Sequence, residues 1–273
     1  VGSGVFELLQ RNAGLIARRT GIEIRLAAIC DTRTAETAAA AGGVKVTGDW
    51  RDVATNSGID IVAELIGGTE PAKCIHISAL EQGKDVVTAN KKLLAEDGLA
   101  IFETAARHGR RIGFEAAVGG GIPCILALRD GLAGNAITSV TGILNGTTNY
   151  ILTKMEEEGL SFELALKQAQ EQGFAEADPT FDIEGFDAAH KISIISMLAS
   201  NRAIDFSSVH VEGITGITDL DIRYAREMGY TIKLLGISKQ LDGAIDVRVH
   251  PAMIRLTHPL ASVRNEFNAI MYV

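Results

Sequence analysis

The chain has 273 residues, 47% of them hydrophobic, and a formal net charge of −8, enough apolar material to bury a sizeable core in one large or two modest domains. A net negative chain with no block of Lys and Arg is repelled by nucleic acid and by anionic membrane surfaces, so a small-molecule ligand fits better than either. No apolar run approaches bilayer length and no signal peptide is visible, while Cys30, Cys74 and Cys124 lack metal-ligand spacing and cannot all pair, which points to a reducing, cytoplasmic compartment.

In chain order, residues 2–19 carry Val5, Leu8, Leu9, Leu15 and Ile16 at helical spacing, and EIRLAAICD (23–31) reads as a buried strand ending in an acid. An Ala-rich helix near 35–41, strands at 44–46 and 59–67, and a helix at 72–83 follow. Next come KDVVTAN (84–90), a helix to about 108, and a strand at 110–118. Strands alternating with helices of this length predict an α/β fold, a Rossmann-type doubly wound parallel sheet whose ligand lies beyond the carboxyl ends of the strands. From about residue 122 the rhythm changes. A helix at 122–132, a strand at 137–145, helices near 147–157, 161–172 and 184–200, and strands near 209–215, 231–241 and 245–250 predict an α+β domain with helices on one side of its sheet. The predicted domains are 1–121, dinucleotide-binding, and 122–273, joined at the glycine run VGGGIP. The chain opens without a methionine, lacking the first strand of such a sheet, and stops at NAIMYV, which reads as the middle of a strand; both ends are expected to continue in a longer protein.

A dinucleotide fingerprint sets Gly-x-Gly-x-x-Gly between the first strand and helix, so that backbone N–H groups meet the pyrophosphate. Gly2 fits its third glycine, though a plain helix start fits as well. Asp31, at the tip of the second strand of such a sheet, suits a ribose 2′-hydroxyl, whereas Arg33 suits a 2′-phosphate, so NAD and NADP both stay open. Ile66, Gly67 and Gly68 follow a buried strand, where glycines let backbone approach a flat ring or simply make a tight turn.

Lys91 sits where a strand hands over to a helix, at the substrate edge of the sheet. EADPTFDIEGFDAAHK (176–191) concentrates acids and closes on Lys191, and a helix beginning near Ile183 puts Asp187 and Lys191 at i and i+4, in contact. Exposed, such a pair is worth about 0.3–0.5 kcal/mol. Its helix is apolar on most sides, however, so the pair is expected to line a cavity, where the lysine can give a proton to a developing alkoxide. Glu176 and Asp182 can hold an ammonium group. The six histidines make no spaced metal site, and His190 is expected to be structural.

Together, GFAEADPTFDIEGFDAAHK (173–191), GILNGTTNYIL (142–152), TANKK (88–92) and EAAVGGGIP (115–123) resemble the homoserine dehydrogenase family, in order and over nearly the whole chain. The resemblance implies reversible reduction of L-aspartate 4-semialdehyde to L-homoserine by NADH or NADPH, a branch-point step toward threonine, isoleucine and methionine. By motif it implies Lys91 and Lys191 as catalytic lysines, Asp187 as the acid that orients Lys191, and Glu176 as the residue that receives the substrate ammonium. Asn145, Gly146, Thr147 and Thr148 would lie near nicotinamide and substrate, and Ile66, Gly67 and Gly68 along the cofactor. Glu115, with the carbonyls of Val118, Gly120 and Ile122, resembles the family's monovalent cation site, for sodium or potassium. A homodimer, formed by a second domain that also binds substrate, is implied too. Two other readings are a related aldehyde dehydrogenase, for which Cys124 is the candidate nucleophile, and a nucleotide-binding regulator without chemistry.

Overall fold

The computed structural model describes residues 1–273, which fall into two units, Val1–Phe114 and Glu115–Val273. The division precedes the glycine run at which the join was expected.

In the first unit, α1 (Gly2–Thr20) is stopped by Gly21 in the left-handed region (φ 71°), whose N–H bonds Ala17. Then come β1 (Ala28–Cys30), α2 (Thr34–Ala40), β2 (Lys45–Thr47), α3 (Arg51–Ala54), β3 (Ile61–Glu64), α4 (Ala72–Glu81), β4 (Asp85–Thr88), α5 (Lys91–Arg107) and β5 (Ile112–Gly113). All pairings are parallel, with a helix in each crossover, which is the Rossmann-like α/β arrangement expected. Hydrogen bonds join these strands into two ladders, β1–β2 and β3–β4–β5. Strand β1 is shorter than the predicted 23–31 because residues 23–27 pair with no neighbouring strand. Likewise α1 buries no residue, and Leu8 and Leu15 stay exposed despite their helical spacing. The core of the unit lies between the second ladder and its helices, where Val62, Val86, Leu80, Leu93, Leu94 and Ile101 are buried.

The second unit opens with α6 (Cys124–Leu126), which widens into a π-turn at Ala127–Gly131 where one continuous helix was expected. It continues with β6 (Ser139–Ile143), α7 (Gly146–Glu158), α8 (Phe162–Glu171), α9 (Thr180–Ile183), α10 (Phe186–Ser200), β7 (His210–Val211), α11 (Asp219–Glu227), β8 (Tyr230–Leu241), β9 (Ala244–Arg255) and β10 (Ala269–Tyr272). The sheet order is β10-β6-β8-β9-β7, antiparallel except for β7 against β9. Asp242 and Gly243, both at positive φ (43° and 87°), make the two-residue turn that joins β8 to β9. Helix α11, absent from the predicted elements, buries Ile222 and Ala225 on one face and is signed by a capping box in which Thr218 and Asp221 exchange hydrogen bonds. Strand β9 runs on through Pro251, which is tolerated because β7 pairs only with Arg248 and Val249 and leaves that edge without a partner strand. No helix in the chain is long and apolar enough to cross a membrane.

Both faces of β8 are covered. On one, Ser238 shares a hydrogen bond of 2.8 Å with Ser196 of α10. On the other, Leu235 and Ile237 join Ile143 and Leu260, so the segment around Leu260 covers the side expected to lack helices. Gly236 brings α10 close, since a Cβ there would lie 2.8 Å from Leu144 and 3.1 Å from Ile192. Replacing Gly236 by Ala should therefore overpack the seam and lower stability by about 1–3 kcal/mol, read as a lower urea midpoint at unchanged slope.

Candidate active site

The acid-rich stretch folds as α9, a left-handed turn at Gly185 (φ 87°), and α10, which starts at Phe186 rather than near Ile183. Lys191 Nζ donates to Asp187 Oδ2 at 2.6 Å and to the Leu144 carbonyl, just beyond β6, at 2.7 Å. The two side chains are 16% and 3% exposed, so this pair is withdrawn from solvent. An ammonium has three N–H donors, which leaves Lys191 one for a further acceptor. Asn145 supplies the remaining support. Its Nδ2 bridges Asp187 (2.9 Å) and Asp182 (2.7 Å), while its Oδ1 accepts the Thr148 N–H (2.8 Å) and so caps α7. Thr147 Oγ1 lies 2.6 Å from the Phe174 carbonyl and 3.1 Å from Asp182 Oδ2, and its one proton can serve either. Asp182, Asp187, Lys191, Asn145 and Thr147 thus form one continuous polar cluster. Asn145, expected at the cofactor, has its amide engaged between the two acids and the helix cap. Glu176 is exposed and stands outside the cluster, held through its backbone carbonyl by Gln170.

Gly146 has a packing reason: a Cβ there would approach the Glu266 carbonyl to 2.7 Å. That turn is sewn to α7 by Asn149 Nδ2, whose two protons are shared among the carbonyls of Val263, Asn265 and Phe267, all within hydrogen-bonding distance, and by the buried Lys233, which donates to Asn149 Oδ1 (3.0 Å) and the Val263 carbonyl (2.6 Å). Burial pushes the Lys233 ammonium down to about 8. Sequence reading missed this lysine, which lies within a run of apolar strand residues.

In the first unit, Lys91 begins α5, half-buried, directly after its N-cap Asn90. Gly67 and Gly68 turn at φ 74° and 72°, a region that favours glycine, with open space where side chains would be. Ile66 beside them is 56% exposed. Beneath this turn lies Glu64, which the sequence analysis did not single out. Its Oε1 accepts the N–H groups of Ile66 (2.9 Å) and Gly67 (3.2 Å), and its Oε2 is bound by His76 (3.1 Å), Thr88 (2.9 Å) and Asn90 (3.3 Å). An acid inside the apolar run IVAELIG was the available signal, because a buried charge demands partners. Asp31 follows β1, and Arg33 folds back onto it with its backbone N–H at 2.8 Å and its guanidinium at 3.4 Å. Those bonds hold the Asp31 carboxyl below its usual range. Gly2 heads α1.

Comparison with known proteins decides the family. A profile described as "Homoserine dehydrogenase" matches residues 123–273, and another, "Homoserine dehydrogenase, NAD binding domain", matches residues 1–115. The chain belongs to the homoserine dehydrogenase family. It is 47% identical over 270 residues to the homoserine dehydrogenase of Neisseria gonorrhoeae and 45% identical over 279 residues to that of Pseudomonas aeruginosa, covering 99% of this chain and 62% of each relative. A crystal structure of a homoserine dehydrogenase from Thiobacillus denitrificans superposes with a TM-score of 0.94 at 47% identity, over 100% of this chain and 63% of that one. The chain therefore spans about three-fifths of the length of the homoserine dehydrogenases it matches.

In this homoserine dehydrogenase family member, Glu115 closes a turn onto α6, its two oxygens accepting the N–H groups of Ile125 (2.8 Å) and Leu126 (2.9 Å). Each oxygen keeps a second lone pair, and Val118, Gly120 and Ile122 lie on the same turn. Cys124 is buried, donates to the Val118 carbonyl at 3.4 Å, and has its thiol pushed up by burial and by Glu115, which is the opposite of an activated nucleophile. The aldehyde dehydrogenase reading loses its candidate. His190 is buried against Phe206 and Phe181, with ring centroids 4.5 and 5.4 Å away, the packing role expected of it.

Burial pushes the Glu64 carboxyl up, but the hydrogen bonds from His76, Thr88, Ile66 and Gly67 outweigh it and bring the group down to about 2, from an ordinary 4.5. A folded-state value below the unfolded one gives stability that is whole above pH 4.5 and fades as pH falls toward about 2. The stability gap between the parent and Glu64→Gln should accordingly narrow as urea melts are taken from pH 6 down to about 3.

Proposed function

We propose that the full-length protein is a homoserine dehydrogenase, interconverting L-aspartate 4-semialdehyde and L-homoserine with NADPH or NADH in the cytoplasm. The observation that carries this reading is the Asp187–Lys191 pair, 2.6 Å apart and shielded from solvent, with one lysine N–H left to give. When bound, the nicotinamide supplies the hydride. As the carbonyl carbon accepts it, the C=O electron pair moves to oxygen, and Lys191 Nζ gives that oxygen a proton. Asp187 keeps Lys191 aimed, and the Leu144 carbonyl fixes the second of its donors. In the oxidation direction the same amine takes up the hydroxyl proton. Lys91, at the start of α5, is assigned the second lysine role by motif. Glu176 and Asp182 are assigned to the substrate ammonium; Asp182 already has each carboxylate oxygen within hydrogen-bonding distance of a neighbour, and Glu176 is open to solvent.

For the nucleotide, Gly2, Asp31, Arg33, Ile66, Gly67 and Gly68 are the proposed contacts, joined by Asn145. The Gly67–Gly68 turn fits a flat ring, being open and lined by the exposed Ile66. Asp31 receives a ribose 2′-hydroxyl if the cofactor is NAD, and Arg33 leaves Asp31 for a 2′-phosphate if it is NADP. Glu115 with the carbonyls of Val118, Gly120 and Ile122 is the proposed sodium or potassium site, a set of hard oxygens carrying one negative charge that fits such an ion. The active form is proposed to be a homodimer.

The test is homoserine-dependent reduction of NAD(P)⁺ by the full-length protein. Lys191→Ala and Lys91→Ala, each shown to fold by circular dichroism, should each lose about 10²–10⁴ in kcat. Near-parental turnover in both would refute the assignment, and a parent that binds NADPH tightly without turnover would instead be the nucleotide-binding regulator.

A further inference from the structure

Glu64 ends β3 with its side chain buried. Its five partners come from separate pieces of the unit: the turn after β3, helix α4, the end of β4 and the cap of α5. Asn90 continues the link. Its Nδ2 also donates to the Gly68 carbonyl at 2.7 Å, its Oδ1 accepts the Leu93 N–H at 3.2 Å, and its own N–H donates to Thr88 Oγ1 at 2.9 Å. Thr88 in turn donates to Glu64, so the hydroxyl relays one contact into the next. Lys91 is the residue that follows Asn90.

We propose that Glu64 is a positioning residue: its carboxylate ties the Gly67–Gly68 turn to the start of α5 and so sets the placement of Lys91 relative to the nucleotide. This rests on the reading of the protein as a homoserine dehydrogenase and adds a residue to it. A neutral amide of the same shape cannot do this work. Whichever way Gln is turned, its NH₂ faces obligate donors: the two backbone N–H groups of Ile66 and Gly67 on one side, or the Asn90 NH₂ on the other, where only the Thr88 hydroxyl and the His76 ring can turn to accept. The cluster must then open at one end, and the turn and the helix cap move apart. Aspartate keeps the charge but is one methylene too short to reach both sets of donors.

The experiment uses full-length protein carrying Glu64→Gln, Glu64→Asp or Asn90→Ser, the last keeping a good helix cap while removing the bridge to Gly68. NADPH affinity is read by nucleotide fluorescence without substrate, alongside kcat and both KM values. We expect folded Glu64→Gln and Glu64→Asp to weaken NADPH binding and to lower kcat, each by about tenfold or more, with the homoserine KM within about threefold of the parent. Asn90→Ser should show the same split to a smaller degree. A folded Glu64→Gln with parental NADPH affinity and parental kcat overturns the proposal; should Glu64→Gln not fold, parental behaviour of Asn90→Ser overturns it equally. If the parent itself lacks homoserine turnover, the functional reading falls, and the NADPH affinities alone still decide whether Glu64 holds the turn.

Discussion

A carboxylate as deeply buried as Asp187, with 3% of its side chain exposed, is tolerated only where donors converge on it, and here they arrive from two directions. Lys191 comes from one turn further along α10, and the Asn145 amide from the end of β6. Much of the second unit is arranged so that these three can meet. The antiparallel pairing of β6 with β8 sets where β6 ends, Gly236 lets α10 settle onto β8, and Asn145 can bridge the acids only because its other amide atom caps α7. The pair is thus a constraint on the fold as well as a chemical device.

The first unit meets the same demand with different means. Glu64 is satisfied mainly by neutral donors, two of them backbone N–H groups, and no lysine or arginine lies among its hydrogen-bond partners. Such bonds hold a carboxyl ionised without offering a proton to anything else. The contrast suits the roles assigned: a lysine beside Asp187 can give and take a proton, while the shell around Glu64 can only hold position.

Local chemistry was readable where one residue or one short spacing decides the outcome. Asp187 and Lys191 had to touch once a helix formed, Asn90 and Asn145 stood where strands hand over to helices, and the Gly67–Gly68 pair announced a turn. Reading failed where the deciding partner is remote in sequence. Glu64 looked like one more strand residue because Thr88 and Asn90 lie 24 and 26 residues away, and Lys233 hid in an apolar strand because its acceptors are 84 and 30 residues distant.

By itself, then, the amino-acid sequence determined the α/β class, the change of architecture in the middle of the chain and the acid-lysine pair, because these follow from periodicities and contacts within a few residues, while its motifs carried the resemblance to the family. The tertiary structure decided which acids share Asn145, why Gly146 and Gly236 must be glycines, and that Glu64 gathers a turn, a strand end and a helix cap around one carboxylate. These depend on which distant segments pack together, a matter of burial and hydrogen-bond closure that no local pattern encodes.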